Sequence, residues 1–266
     1  MIEKLHTHLR PLERVAVAYS GGVDSTLVLK AALDALGSEH VVALLAVSPS
    51  LPQSEKDEAV ILAQQLGARL ELMVTEETND PAYQANAPNR CYFCKDHVYR
   101  ALRRFAEQNG ITHVLDGMNA EDTLDVRPGR AAARELKILS PLHDLGFSKQ
   151  DVREAAKALG LPNWNKPAAA CLASRVPYGT SVTPKLLSQI ERAEAALFDL
   201  GFRELRVRHH GDVARLEVPE ADLLRALQQR EAIIAALRAV GYTYITLDLA
   251  GLRSGSMNEV LKARSA

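Results

Sequence analysis

The sequence predicts an α/β fold: a parallel sheet covered by helices on both faces, followed by a smaller α+β domain. Two observations predict it. Over the first half, short apolar runs alternate with helical patterns, and strands that alternate with helices pair in parallel. Beyond Cys171 the order changes to helix, two strands across a short turn, helix and strand.

The strands expected in the first region are Val15–Tyr19, Val41–Val47, Arg69–Val74 and His113–Met118. Helical periodicity fills Asp24–Leu36, Ser54–Leu66 and Asp96–Glu107 between them. In the second region a helix is expected over Thr183–Leu200 and strands over Leu205–His209 and Val213–Val218, joined across His210, Gly211 and Asp212. A helix over Glu220–Val240 and a strand over Tyr244–Leu249 complete it. The texture shifts near Pro177–Pro184, which sets the expected domains at 1–180 and 181–266.

Composition narrows the class. With 47% hydrophobic and 24% charged residues, 266 residues suffice for two cored domains. Lys and Arg total 32 against 33 for Asp and Glu, so no bulk positive field exists to hold a polyanion, and nucleic acid is not expected as a partner. No run reaches the ~18 apolar residues of a membrane span, and Met1–Arg10 lacks the apolar core of a leader. A cytoplasmic protein without a membrane partner is expected. Three cysteines, Cys91, Cys94 and Cys171, cannot all pair, so metal or thiol chemistry is expected ahead of a disulfide framework.

The first strand runs into Ala18-Tyr19-Ser20-Gly21-Gly22-Val23-Asp24-Ser25-Thr26, which opens the first helix. Gly21 and Gly22 permit a tight turn, Ser20 and Ser25 add hydroxyls, and the helix N-terminus directs amides and a positive dipole end at an anion. No Gly-Lys-Ser or Gly-Lys-Thr follows the glycines, so the loop is not of the kinase type. Strand, loop and helix resemble the PP-loop of ATP pyrophosphatases, whose Ser-Gly-Gly-x-Asp-Ser signature is present as Ser20 to Ser25. That resemblance implies ATP, with the loop gripping the pyrophosphate that leaves on adenylation and Asp24 holding Mg²⁺ or orienting phosphates. Two further strand ends supply walls: Ala46-Val47-Ser48, which in such proteins meets adenine, and Asp116 to Asp122, with Gly117, Asn119 and Asp122 as the nucleotide residues.

Cys91-Tyr92-Phe93-Cys94 stands just ahead of the Asp96–Glu107 helical pattern, so both sulfurs can converge on one centre. Cys171 lies in Lys166-Pro167-Ala168-Ala169-Ala170-Cys171-Leu172-Ala173-Ser174-Arg175, where small neighbours leave it approachable and Lys166 and Arg175 can stabilise a thiolate. Inert burial, structural zinc with His97 or His113 as fourth ligand, a redox dithiol and a three-cysteine iron–sulfur cluster with one open iron all remain available.

With these motifs in hand, the chain resembles the LarE family of ATP-dependent sulfur transferases, which help make the nickel-pincer nucleotide of lactate racemase. The resemblance runs almost end to end, most specifically through Ser20–Ser25, Asn89–Lys95, Lys166–Thr180 and Gly251–Asn258. It implies a pyridinium dicarboxylate mononucleotide whose carboxylate is adenylated and converted to a thiocarboxylate. Within the family either a lone cysteine matching Cys171 gives up its own sulfur, or three cysteines hold a [4Fe-4S] cluster that carries sulfide from a donor. Cys91 and Cys94 beside Cys171 place this chain with the second variant. The resemblance also implies a homo-oligomer and roles near substrate or a divalent ion for Arg175, Glu194 and Glu217. Arg206 and Arg208 alternate with Val207 on a strand and so share a face, a pairing suited to a substrate phosphate. His209 and His210, beside the Gly-Asp turn, read as turn residues and not as ligands.

Three rivals remain at this point. A tRNA-thiolating enzyme predicts a basic RNA-binding surface, an amide- or nitrile-forming enzyme predicts structural zinc, and a nucleotide sensor predicts ATP binding without pyrophosphate release.

Overall fold

Strands β1 (Val15–Tyr19), β2 (Val41–Val47), β3 (Arg69–Val74) and β4 (His113–Leu115) form one sheet in the order β3-β2-β1-β4. Every pairing is parallel: Val15 faces Val41 on one side and His113 on the other, and Val42 faces Arg69. The first three strands have the limits expected, whereas β4 stops short. Asp116 accepts a hydrogen bond from the Met118 amide at 3.1 Å, an Asx turn that leads the chain out of the sheet.

The period of two along each strand divides the core between the faces. Val15, Val17, Val41, Ala43 and Leu45 pack with the helices Ile2–Leu9, Val23–Leu36 and Lys149–Ala158. Ala16, Val42, Leu44 and Val114 pack against the Arg90–Gln108 helix through Tyr99, Leu102 and Ala106. The Lys149–Ala158 helix starts at a capping box: Ser148 Oγ accepts from the Asp151 amide at 3.1 Å and Asp151 Oδ2 from the Ser148 amide at 2.9 Å. Parallel strands bring all four carboxyl ends to one edge, and the residues expected to bind nucleotide sit there.

The computed structural model describes residues 1–123, 129–167, 169–253 and 255–259. Within them the chain forms two compact units, Met1–Tyr83 with Asn89–Ala169, and Gln84–Pro88 with Ala170–Ala266. Ala168, part of the small-residue run before Cys171, Ser254 and the last residues of the expected second domain lie outside the described residues. No helix among the described residues is long and apolar enough to cross a membrane.

The second unit follows the expected α-β-β-α-β order with one change. Its helix Pro184–Asp199 is capped by Thr183, which accepts from the Leu186 amide at 3.2 Å. Strands β5 (Arg206–His210) and β6 (Val213–Glu217) are antiparallel, and β7 (Tyr244–Leu247) pairs parallel to β6. His209 and His210 end β5 rather than forming the turn, and His209 is buried with Nδ1 3.3 Å from the Tyr242 hydroxyl. The single helix expected over Glu220–Val240 is instead a short turn and two helices, Leu223–Gln228 and Arg230–Ala239. Leu224 and Leu227 stay exposed while Ala226, Ile233 and Leu237 are buried, so no single apolar stripe serves both pieces. Arg225 fixes the first piece by donating to the Leu200 and Gly201 carbonyls and lying over the Phe202 ring.

Gln84–Pro88 joins this unit through Asn86, which is fully buried at a positive φ of 50°. Its Nδ2 donates to the carbonyls of Val176, Pro177 and Thr180 at 3.3, 2.8 and 3.1 Å, and its own carbonyl accepts from the Gly179 amide. Asn86→Ala strands those acceptors. We expect a loss of about 2 to 3 kcal/mol, read as a lower urea midpoint at unchanged m-value, with nucleotide binding retained.

Candidate functional site

At the end of β1, Ser20 and Ser25 bind each other, Oγ to Oγ at 3.1 Å, and Ser25 Oγ also receives the Ser20 amide at 3.2 Å. Thr26 Oγ1 donates to the Gly22 carbonyl at 2.8 Å. Gly22 is the N-cap of the following helix and has no side chain to cap it, which leaves the first-turn amides for a ligand. Gly21 takes a positive φ of 73°, and a Cβ there would lie 2.7 Å from that of Ala59, so the helix Gln53–Gln65 packs directly on the loop. Asn163 braces the other side, donating to the Gly21 carbonyl and to Thr26 Oγ1, both at 3.0 Å.

The segment after β4 closes over the same loop. A Cβ on Gly117 would come within 2.6 Å of the Ser25 amide nitrogen, so only glycine permits this contact. Asn119 Nδ2 donates to Asp24 Oδ1 at 2.8 Å, and Asn119 Oδ1 accepts from the amides of Glu121 and Asp122 at 3.0 and 3.2 Å. Gly117, Asn119 and Asp122 thus gather around Asp24. Ala18 and Ala46 are half-buried near the carboxyl ends of β1 and β2, and Ser48 Oγ accepts from the Ser50 amide at 3.2 Å. Tyr99 ties this edge to the Arg90–Gln108 helix by donating to Asp116 Oδ2 at 2.9 Å; burial pushes its phenol up, so it remains a donor.

Cys91 and Cys94 lie in the first two turns of that helix, which begins at Arg90 and not after the pair. The expectation fails because Arg90 to Lys95 carries no capping residue or break to mark a boundary, and the Asn89 cap forms no side-chain bond. Spacing of three on a helix sets both thiols on one face. Cys91 is exposed, Cys94 is half-buried, and Lys95 Nζ lies 5.2 Å above the Tyr99 ring. His97, one candidate zinc ligand, is engaged by Asp80 at 2.9 Å, and His113 lies on β4.

Cys171 is exposed in the second unit, at the N-cap of the turn Leu172–Arg175. Arg175 donates through Nη1 to the carbonyls of Ala170 and Cys171 at 2.6 and 3.0 Å and grips both carboxylate oxygens of buried Glu194 at 3.0 and 3.1 Å. Glu194 Oε1 also accepts from the Val207 amide at 3.0 Å, fixing the cysteine turn to β5. Lys166, expected to support the Cys171 thiolate, pairs with Glu55 and Glu58 in the first unit at 2.8 and 2.7 Å.

Arg206 and Arg208 share a face of β5 as expected, with different surroundings. Arg208 is 2% exposed and donates to Glu217 at 2.7 Å, Ser256 at 2.9 Å and the Ser174 carbonyl at 3.0 Å. Glu217 Oε1 accepts in turn from Ser256 at 2.9 Å, and Arg215 reaches both Glu217 and Asp248. Arg206 is half-buried and has no ion pair among the described residues. Burial, then the charges of Arg208 and Arg175, push its guanidinium down, so it sits in a field that welcomes an anion.

Sequence reasoning missed Asn163 and Tyr99, which carry no motif, and gave no role to Ser256 although it lies in the Gly251–Asn258 segment; each acts through a contact distant in the chain. For metals, three thiols have the donor chemistry of a cluster, yet among the described residues no three His, Cys, Asp or Glu side chains are grouped to hold an ion. Asp24 and Asp122 are hard oxygen donors whose mutual repulsion a divalent cation would relieve.

A PP-loop domain model matches residues 1–127. The chain is 44% identical over 253 residues to pyridinium-3,5-bisthiocarboxylic acid mononucleotide synthase of Lactiplantibacillus plantarum, covering 95% of this chain and 92% of that protein. It is also 44% identical over 262 residues to an uncharacterized protein of Synechocystis, covering 98% and 97%, and 29% identical over 244 residues to one of Methanocaldococcus jannaschii, covering 91% and 92%.

Burial raises the Asp24 carboxyl, and Asp122 adds to this against Asn119 and Lys149. A raised acid stabilises the fold only while protonated: its penalty is absent below the ordinary value of 3.8 and complete above the folded value. Asp24→Asn removes that penalty and keeps an amide oxygen for Asn119. At neutral pH the variant should therefore melt no lower than wild type, with any advantage vanishing toward pH 3, while ATP-dependent pyrophosphate release is lost. Lower melting at pH 7 would contradict this assignment.

Proposed function

The chain belongs to the LarE family of pyridinium-3,5-bisthiocarboxylic acid mononucleotide synthases, and from that membership we propose that it is an ATP-dependent sulfur transferase acting on pyridinium-3,5-biscarboxylic acid mononucleotide in nickel-pincer nucleotide biosynthesis. A substrate carboxylate oxygen attacks the α-phosphorus of ATP and pyrophosphate leaves. Sulfur then attacks the acyl carbon of the mixed anhydride, the bond to AMP breaks, and a thiocarboxylate remains. The uncapped amides after Gly22 support the first step, with Ser20, Gly21, Gly22, Asp24 and Ser25 around the phosphates and Ala18, Ala46, Ser48, Gly117 and Asn119 around the nucleoside. Asp24 and Asp122 fit Mg²⁺ at that edge.

The observation that carries the sulfur step is the fastening of the Cys171 turn, through Arg175 and Glu194, to the strand that presents Arg206. An exposed thiol and a cation without an ion pair among the described residues are held on one framework, an arrangement suited to a phosphorylated acceptor. Arg206 is the phosphate contact, and Arg208 and Glu217 hold its strand and the Ser256 turn in place. Cys91, Cys94 and Cys171 would hold the [4Fe-4S] cluster, which when bound supplies an open iron to carry sulfide from a donor. We place this chemistry in a reducing cytoplasm and in a homo-oligomer.

Arg206→Ala should raise the KM for the mononucleotide about ten- to hundredfold, the worth of one charge-assisted contact, without changing ATP affinity. An equal loss of ATP affinity in a binding titration would remove Arg206 from this role.

If the three cysteines hold one cluster, Ala at any of them should abolish iron content and sulfur transfer together, with adenylation preserved. Sacrificial donation predicts another pattern: only Cys171→Ala is inactive, and wild-type protein loses about 34 Da as that cysteine becomes dehydroalanine. Iron analysis after anaerobic purification and intact-protein mass before and after turnover separate the two.

A further inference from the structure

The Lys149–Ala158 helix has one face that neither the nucleotide loop nor the cysteines account for. Lys149, Arg153 and Lys157 recur every four residues, which stacks them about 6 Å apart along one side of the helix. They line a cleft of ≈ 550 Å³ with Glu121, Glu154 and the chain's one tryptophan, Trp164. Both acids are engaged locally: Glu121 Oε1 accepts from the Lys149 amide at 2.9 Å, and Glu154 Oε1 accepts from Gln150 at 2.8 Å. The cations are less so. Lys149 Nζ approaches Asp122 only to 4.0 Å, Lys157 Nζ lies 4.8 Å above the Trp164 ring, and Arg153 has no ion pair among the described residues.

The cleft begins where the nucleotide edge ends, since Lys149 Nζ lies 4.0 Å from Asp122, whose Oδ2 accepts from the amide of Asn119, the residue bound to Asp24. The PP-loop itself offers backbone amides and hydroxyls but no lysine. Resting on the nucleotide site proposed above, we propose that this cleft extends the loop's hold on the pyrophosphate group, with Lys149 and Arg153 supplying the cations that the loop lacks and Lys157 drawn off Trp164 as it binds. A phosphoanhydride carries separated charges that successive rungs of such a ladder can each meet, whereas a nucleoside monophosphate presents only one phosphate.

Trp164 reports on the site directly. Titration with inorganic pyrophosphate should change its fluorescence saturably, and Arg153→Gln, which leaves the Lys157–Trp164 contact intact, should weaken pyrophosphate binding about tenfold with AMP binding unchanged. Calorimetry with Arg153→Gln/Lys157→Gln should reproduce the loss without depending on the fluorophore. If weakening extends to ATP, the group is held while still attached; if it is confined to pyrophosphate, it is held after release. Pyrophosphate binding equal in wild type and both variants overturns the proposal, as does equal affinity for sulfate, the mark of an adventitious ion only. Because the nucleotide reading is tested at Asp24 and by AMP binding, a silent Arg153 variant beside an inactive Asp24→Asn would remove the cleft alone.

Discussion

Parallel pairing of β1 with both β2 and β4 is the constraint on which the first unit depends. It makes the strands end at one edge, so four chain exits compete for the same space. That crowding explains the two glycines whose freedom is essential. Gly21 lets the loop lie against the helix that follows β2, and Gly117 lets the exit of β4 lie against the helix that follows β1. With backbone in contact at these points, Asn119 is near enough to bind Asp24, and a carboxylate is held half-buried at a cost in stability. The cost makes sense only where the charge is needed, which is the ordinary relation between a strained site and its function.

The second unit handles charge differently. Arg175–Glu194 and Arg208–Glu217 are buried pairs, and such pairs contribute little net stability because desolvation offsets their attraction, although losing one partner costs about 3 to 5 kcal/mol. Their value here is positional. Each arginine also donates to backbone or side-chain oxygens of turns, Arg175 to Ala170 and Cys171, Arg208 to Ser174 and Ser256. Four irregular positions are thereby tied to β5 and β6 by hydrogen bonds, and Cys171 stays exposed.

Legibility in the sequence followed the range of the interaction involved. Strands β1 to β3 could be read to the residue because their apolar runs are bounded by turn chemistry, and the phosphate loop could be read because its six residues are contiguous. The start of the Arg90–Gln108 helix was hidden by an N-terminus without a capping side chain, and the break at Gln229 by apolar residues that fit one helical period on paper but turn to different surroundings. Pairing information was absent altogether. Nothing local distinguishes Arg208, neutralised by a glutamate nine residues away, from Arg206, which is not, and nothing marks Asn86 as the anchor of a turn some ninety residues on.

That difference between neighbouring arginines bears on what kind of anion the protein selects. Net charge is −1, so long-range attraction cannot gather a polymer of phosphates, and recognition has to rest on a few short-range cations. Pairing with Glu194 and Glu217 removes two arginines from that set and leaves Arg206 in a field their guanidiniums still shape. On β5 one guanidinium, that of Arg206, is without an ion pair among the described residues, and one such group matches a single phosphate. A thiolating enzyme acting on RNA would instead need a row of cations along the backbone, each giving up counterions, and β5 offers no such row. The charge pattern of β5 is therefore that of a strand able to meet one phosphate, on the same grounds that make its buried pairs intelligible.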